Sequence, residues 1–135
     1  MDLKARVRTF KAGSFKHLKT DKGRKTTETI TLDVSKFTAG THYPNGFIPA
    51  GVFLGKVTAT GKYGPYDDTL TNGQEVCVGM TADRYRIDPL DAPTLIVGAL
   101  QWEGHVIEAN LPITGAAGAI DAAGKTDLGS KFRFV

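Results

Sequence analysis

Two stretches near the start of the chain alternate strictly between two kinds of side chain. Residues 3–9, LKARVRT, place small or apolar residues between cations, and residues 27–34, TETITLDV, alternate with many β-branched residues. A period of two is typical of a strand with one apolar face. The first strand needs another edge to pair with, because an isolated strand is not stable in water. A disordered tail with accidental alternation is the alternative for residues 3–9.

Short strands separated by turns are predicted for much of the remaining chain. The strands span residues 52–60, 75–80, 94–100, 105–109 and 131–135, and the apolar run 94–100 is also compatible with a helical segment. Turns are predicted at Ile48-Pro49-Ala50-Gly51 and at Asn72-Gly73. The alanine-rich stretch 116–128 predicts one short helix, which its glycines weaken.

This pattern predicts a mainly β fold of the small α+β kind. The chain contains 16 glycines, which disfavour long helices, and no repeat or linker that would divide it. We therefore expect a compact, β-rich single domain with short strands and at most one or two short helices, preceded by an extended N-terminal arm. The expected division is a flexible basic arm over residues 1–25 and a β-rich domain over residues 26–135.

The charge is distributed unevenly between these two parts. Residues 1–28 contain nine basic and three acidic side chains, or +6, whereas the remaining residues contain eight basic and eleven acidic ones, or −3. Such asymmetry indicates a partner of opposite charge, either a nucleic acid or an acidic protein surface. Because residues 16–27 contain few apolar side chains, this part of the arm is expected to be mobile when free.

The chain is predicted to be soluble and made in the cytoplasm, with no membrane partner. It has no apolar run close to the roughly 18 residues that a membrane span requires, and its first residues lack the apolar core of a signal peptide. Its one cysteine, Cys77, excludes an internal disulfide framework.

No catalytic or metal-binding pattern is present, so the chain is predicted not to be an enzyme and to need no cofactor. Cys77 lies between two valines of a predicted strand and is interpreted as an inert, structural thiol. His17, His42 and His105 are too far apart in the sequence to indicate a metal site. The neighbouring carboxylates of residues 67–68 are interpreted as solvated or capping groups of a loop.

A nucleic-acid-binding module is the main alternative from the residues alone. Lysines and arginines interleaved with Phe10 and Phe15 could hold phosphates and stack on bases. The body lacks a second basic stripe and an aromatic RNA-binding motif, so specific nucleic-acid binding is not expected. A small β-domain enzyme or an adaptor is the third possibility.

Five blocks of residues match, in order, the motifs of one known family. Residues 47–58, FIPAGVFLGKVT, and residues 62–67, KYGPYD, resemble the I-P-A-G-x-x-L-G-K-[IV]-T block and the K-Y-x-P-Y-[DN] segment of the head-decoration proteins of tailed phages of the lambda D type. Residues 72–79, NGQEVCVG, resemble its D-G-[ST]-x-x-A-V-G turn and strand, with Cys77 at the usual alanine. The pieces at residues 97–99 and 108–112 resemble later parts of the pattern. The first 25 residues match no block of the family.

The resemblance implies a trimer at local three-fold positions of an expanded icosahedral shell, with arms that reach the major capsid protein. The chain is then expected in the virion, on the outer capsid surface. In this interpretation the arm adds a strand to an edge of the capsid protein. The expected capsid-binding residues are Leu3, Arg6, Val7, Arg8 and Phe10 of the arm and Thr27, Thr29, Ile30 and Leu32 of the body. The expected homotrimer interface contains Phe47, Ile48, Pro49 and Trp102, with ordinary core packing as the alternative for Ile48.

Overall fold

Short strands make up most of the regular structure. The computed structural model describes residues 15–88, 90 and 93–135. In these residues the strands are β1 (Thr27–Asp33), β2 (Phe47–Ile48), β3 (Phe53–Lys56), β4 (Tyr63–Pro65), β5 (Gly79–Thr81), β6 (Tyr85–Arg86), β7 (Leu95–Gln101), β8 (Gly104–Val106) and β9 (Phe132–Phe134). Two α-helices, α1 (Ala39–His42) and α2 (Ala122–Leu128), and three 3-10 turns at Val34–Lys36, Glu108–Asn110 and Gly129–Lys131 complete the elements. The predicted β-rich single domain with two short helices is confirmed.

A two-stranded ribbon of β1 and β7 is the longest pairing of the sheet. The two strands run antiparallel, from Thr27 opposite Gln101 to Asp33 opposite Leu95. The alternation in β1 determines which face of the strand is buried. Ile30 and Leu32 face the core, and the threonines face outward. The predicted strands at residues 27–34 and 94–100 are thus confirmed within one or two residues.

The ribbon closes into a small barrel with three shorter strands, in the order β1-β4-β3-β5-β7. Strands β3 and β5 are both shorter than predicted. After β3 the Val57 N–H donates to the Lys62 C=O, and the Gly61 N–H donates to the Val57 C=O, so the chain turns instead of continuing to residue 60.

Side-chain hydrogen bonds prevent an earlier start of β5. The Asn72 carboxamide accepts a bond from the Gln74 N–H, and the Glu75 carboxylate accepts one from the Gly73 N–H. Within the predicted strand, the Val76 N–H donates to the Gly73 C=O and the Cys77 N–H donates to the Asp127 carboxylate, so these groups are not available for a ladder. The chain therefore joins the sheet only at Gly79.

Two small sheets flank the barrel. One pairs β2 with β6, and the other pairs β8 in parallel with β9. The predicted C-terminal strand is confirmed as β9, while β8 ends at Val106 and gives way to a 3-10 turn before residue 109. The strand ends there because the chain turns after Val106, and the Leu111 N–H donates to the Glu108 C=O within this turn.

Residues 15–25, the described part of the predicted arm, lie against the body. Leu18 forms an antiparallel bridge with Val106, and the Lys19 N–H donates to the His105 C=O over 2.8 Å. The side chain of His17 is buried. Backbone bonds to β8 and one buried ring thus hold this segment despite its few apolar groups. The mobility expected from residue 16 and the division at residue 25 stay predictions.

The C-terminal helix begins later than the predicted range 116–128. Asp121 caps α2 by accepting the Gly124 N–H over 2.7 Å. Gly118, with φ +90°, exchanges backbone bonds with Tyr66 and Phe53 instead of continuing a helix. The stretch before residue 121 is therefore held by the barrel, and only Ala122–Leu128 is helical.

Two clusters of buried side chains form the core. The first fills the barrel and includes Leu32, Ile48, Val52 and Leu54. The second lies between the barrel, α2 and β9, and it contains Phe53, Tyr66, Cys77, Met80, Val106, Leu111, Leu128 and Phe132. Because Phe53 and Leu54 are neighbours on β3 that face opposite clusters, β3 joins the two parts of the core.

Candidate functional site

The predicted capsid-binding residues fall into three groups. Leu3, Arg6, Val7, Arg8 and Phe10 lie outside the described residues. Thr27 and Thr29 are exposed on β1. Ile30 and Leu32 are only 6% and 0% exposed and belong to the barrel core, so their side chains are not available to a partner. The reason is the period of two, which gives the outer face of β1 to the odd-numbered residues alone.

The register of β1 determines where its backbone groups point. The Val34 N–H donates to the Thr94 C=O over 3.0 Å, which continues the β1–β7 ladder by one pair. Hydrogen-bonded pairs alternate along an antiparallel ladder. The even-numbered residues of β1 therefore direct their N–H and C=O groups at β7, and the odd-numbered residues direct theirs at the opposite edge.

That opposite edge is paired only at its far end. Strand β4 meets β1 at a single position, Leu32 opposite Tyr63. In residues 15–88, 90 and 93–135, no strand pairs with β1 on this side before Leu32. The N–H and C=O of Thr29 and the N–H of Thr31 are thus left without a backbone partner in the described structure. We call Thr27 to Thr31 on this side the open edge.

A groove of about 380 Å³ opens beside the open edge. It is lined by Glu28, Tyr63, Val78, Leu100, Trp102 and Lys131. Trp102, which the sequence assigned to a subunit interface, is half-buried here and packs against the barrel core. Burial and, secondarily, the nearby negative charge of Glu28 raise the pKa of Tyr63, so its hydroxyl stays protonated. The groove combines apolar and aromatic side chains with one acid and one base, and more of its surface is polar than apolar.

The other predicted interface residues lie at a different cleft. Phe47 and Pro49 are half-buried and line a cleft of about 200 Å³ together with His17 and His42. The Arg84 guanidinium lies 5.5 Å from the centre of the Phe47 ring. Ile48 is fully buried in the core, which agrees with ordinary core packing, the alternative given for this residue. The structure does not bring Phe47 and Pro49 to the same cavity as Trp102.

The wall of this cleft holds an unexpectedly buried imidazole. His17 is 2% exposed, and its ring lies so close to Gly51 that a Cβ there would be 3.0 Å from the ring. Gly51 also has φ +94°, a conformation that favours glycine. Burial, and then the positive charge of Arg24, lower the pKa of His17 to about 4, so the ring is neutral at pH 7. Composition alone had placed His17 in a mobile segment, and no local signal indicates its burial.

The other two histidines also have structural surroundings. His42 accepts the Thr38 N–H at Nδ1, and its Nε2 lies 2.6 Å from the Ala117 C=O, which it meets as a donor. The Nε2 of His105 is buried and has no hydrogen-bond partner among the described residues. Within the part of the chain that the structure describes, no group of three or more His, Cys, Asp or Glu residues could hold a metal ion.

A carboxyl pair that the sequence did not reveal lies at the start of α2. Asp67 makes the predicted local turn, accepting the Thr69 N–H over 3.0 Å. Asp68 instead lies beside the Asp121 carboxylate, which accepts the Tyr66 hydroxyl over 2.7 Å. The pKa of Asp68 is raised because its protonated form can donate to Asp121 and because its charged form is repelled by that carboxylate. The sequence could have revealed Asp121 as a helix cap, because a helix follows it directly. It could not have revealed that Asp121 lies beside Asp68.

Cys77 has the environment of an unreactive thiol. It is 2% exposed, and burial raises its pKa to about 12. Its N–H donates to the carboxylate of Asp127 over 3.0 Å. A thiol that stays protonated in an apolar core is a poor nucleophile.

Comparison of the chain with models of protein families, with curated proteins and with solved structures finds no match. Among the described residues, no helix is long and apolar enough to cross a membrane.

Proposed function

We propose that this chain is a structural head-decoration protein of a tailed phage. In this proposal it binds as trimers at local three-fold positions on the outer surface of an expanded capsid, and it stabilises the shell against the pressure of packaged DNA. The observation that carries the proposal is the order of the blocks that resemble lambda D-type proteins, together with the way these blocks meet in the fold.

Three blocks that are separate in the sequence form one packed unit. Strand β3, from the first block, pairs with β4 of the second and with β5 at the end of the third. A Cβ at Gly55 would lie 2.6 Å from the Cα of Gln74, so the first and third blocks touch through a position where only glycine fits. The Gln74 carboxamide donates to the Pro65 C=O over 2.9 Å and ties in the second block. A resemblance over mutually packed residues supports a shared fold more strongly than scattered matches would.

The proposed capsid contact is strand addition by the N-terminal segment. Leu3, Val7 and Phe10 would fill apolar pockets of the major capsid protein, and Arg6 and Arg8 would meet acidic groups there. Each arm binds modestly because ordering it costs entropy. Three arms on one trimer act together, since binding of the first raises the effective concentration of the others.

Besides Phe47, Pro49 and Trp102, a second exposed apolar surface could contribute to the proposed trimer interface. Leu95 and Val97 lie on the outer face of β7 and are 46% and 72% exposed. They stand opposite Asp33 and Thr31 of β1, so the outer face of the ribbon combines β-branched and apolar side chains. Apolar groups exposed side by side on a strand are typical of a contact surface.

The test is binding to expanded shells assembled from the major capsid protein of the source phage. The full chain should sediment with expanded shells, and a variant lacking residues 1–14 should not, while light scattering should show a trimer for both. The variant retains every described contact and serves as its own folding control. Equal binding of both forms would contradict the role of the arm, and no binding of the full chain would contradict the capsid function.

Nucleic-acid binding is the second candidate, and the exposed cations at Lys19, Lys22 and Lys25 favour it. These side chains follow one another along the segment that lies on β8. Binding to duplex DNA that weakens steeply with salt would support this function. Replacing the three lysines by glutamine should then abolish DNA binding and leave shell binding unchanged.

A further inference from the structure

We propose that the open edge of β1 in one copy of the chain pairs with an unpaired edge of β7 in the next copy, and that three such contacts close the trimer. The inference rests on the trimer of the proposed function and is independent of capsid binding. It assigns one partner, a second copy of this chain, to two edges that the described residues leave unpaired.

Strand β7 leaves one part of its far edge without a neighbouring strand. Its even-numbered residues direct their backbone groups at β1, so its odd-numbered residues direct theirs away from β1. On that side the Ala82 N–H donates to the Ala99 C=O, and the Ala99 N–H donates to the Tyr85 hydroxyl. Within the ranges that the structure describes, no strand pairs with Leu95 or Val97 there. We call Leu95 to Val97 on this side the free edge of β7.

Both edges lack the features that commonly prevent strands from pairing. Natural proteins protect unpaired edges with proline, lysine or a bulge. The open edge of β1 and the free edge of β7 contain neither proline nor lysine. The free edge instead carries Leu95 and Val97, whose side chains are 46% and 72% exposed. An unprotected edge beside exposed apolar side chains is suited to a contact with another strand.

The backbone groups of the two edges are complementary. Thr29 offers one N–H and one C=O, and Thr31 offers a further N–H. If Thr29 stands opposite Val97 of the next copy in an antiparallel pair, these two residues exchange two hydrogen bonds. The Thr31 N–H then meets the Leu95 C=O. This register therefore uses all three unpaired groups of the open edge.

The same register brings matching side chains together. Within one chain, Val97 already stands opposite Thr31 on the outer face of the ribbon. Pairing between copies places Thr29 of the next chain on the other side of Val97, so that this side chain lies between two threonines. Cross-strand pairs of β-branched residues stabilise a sheet, and burial of Val97 adds to the backbone bonds.

A contact between two different edges is head-to-tail. Contacts of this kind repeat with the same rotation until they close a ring, or they continue as a filament. A ring of three copies pairs every open edge of β1 with a free edge of β7, so none remains to recruit further chains. The three-fold assembly that we propose therefore has a structural basis in the ribbon itself.

Variants at the two edges test the contact by light scattering at millimolar concentration. Thr29→Pro and Val97→Pro each remove one N–H group that points away from the β1–β7 ladder, so neither removes a backbone bond within the chain. Val97→Lys changes only an exposed side chain and serves as a second variant of the same edge. The unmodified chain should have the mass of a trimer, and all three variants should have the mass of a monomer. Val135→Lys, at a side chain that is 54% exposed, is the matched control and should stay trimeric.

Mixing the two proline variants tests the head-to-tail arrangement. Thr29→Pro keeps an intact free edge of β7, and Val97→Pro keeps an intact open edge of β1. Their mixture should therefore form a dimer with one copy of each and no trimer. A dimer of either variant with itself would overturn the proposal, because it would show a contact between identical edges. A mixture that stays monomeric would also overturn it.

Hydrogen exchange locates the contact at single amides. The N–H groups of Thr29, Thr31 and Val97 should exchange at least about tenfold more slowly in the unmodified trimer than in Val97→Lys. The Ile30 amide points at β7 of its own chain and should be protected equally in both. A trimer that persists in Val97→Lys would overturn this inference and leave the proposed function intact. A monomeric unmodified chain would overturn the inference, and shell binding would still test the capsid function separately.

Discussion

Acidification should destabilise the protein through one buried side chain, His17. Its ring is 2% exposed and packs against Gly51, and its pKa falls from 6.5 to about 4 in the folded protein. The unfolded chain keeps a pKa near 6.5, so it binds a proton that the folded chain does not bind until the pH is near 4. The contribution of His17 to stability is therefore fully present above pH 6.5 and declines as the pH falls to 4.

The size of this effect follows from the two pKa values. A difference from 6.5 to about 4 corresponds to about 3.4 kcal/mol, at 1.36 kcal/mol for each pH unit. The part that comes from Arg24 is smaller in practice, because its side chain is 40% exposed and its charge is screened by solvent. We expect His17 to account for a loss of about 2–3 kcal/mol in the free energy of unfolding between pH 7.5 and pH 4.

Urea denaturation of the unmodified chain and of a His17→Leu variant measures this loss. Carboxylates titrate in both proteins, so the difference between their pH profiles isolates His17. The variant should lose about 2–3 kcal/mol less than the unmodified chain over this range, whatever its stability at pH 7.5. The ring resonances of His17 should also show no titration between pH 6 and 7.

Two results would refute this reasoning. Parallel pH profiles of the two proteins would mean that His17 does not link protonation to folding. An NMR titration midpoint for His17 near 6.5 would mean that its ring is solvated and that residues 15–19 are not held against Gly51 and β8.

Three further predictions concern other described residues. Gly55→Ala should lower the free energy of unfolding in urea by about 3 kcal/mol, because the new methyl group meets the Gln74 backbone. Gly40→Ala, with open space around it in α1, should leave this free energy unchanged or raise it by up to about 1 kcal/mol. Equal effects would contradict the close approach of the two blocks. Asp68→Asn should raise the melting temperature near pH 7. Because the pKa of Asp68 is raised in the folded protein, this residue favours folding at low pH and opposes folding once the pH rises above that pKa. An unchanged or lower melting temperature would contradict the Asp121 contact. Cys77 should react with a thiol reagent only at the rate of unfolding, and fast labelling of the native protein would contradict its burial.

The sequence predicted those elements whose pattern is local. The alternation of residues 27–34 predicted β1, and the apolar run 94–100 predicted β7, because each strand has its own burial pattern. The strand of residues 75–80 was overestimated, since hydrogen bonds from Asn72 and Glu75 hold a turn there. Helix α2 was predicted too long for a similar reason, because backbone bonds of Gly118 to the barrel compete with a helix.

The candidate site was predicted less completely than the fold. The sequence placed a partner contact at residues 27–32, but the side chains of Ile30 and Leu32 are buried in the barrel, whereas Glu28 and the threonines of β1 are accessible. Periodicity shows that a strand has two faces and does not show which of its edges stays unpaired. The open edge depends on how far β4 runs beside β1, and that depends on packing between distant parts of the chain.

The sequence by itself determined the β-rich class, the main strands and the basic N-terminal segment, because these follow from nearest neighbours, side-chain period and charge. Only the tertiary structure decided that His17 is buried, that Asp68 meets Asp121, and that β1 keeps an open edge beside Trp102. Each of these features joins groups that are far apart in the chain. Such contacts arise when the barrel closes and the core excludes water, so no local pattern of residues contains them.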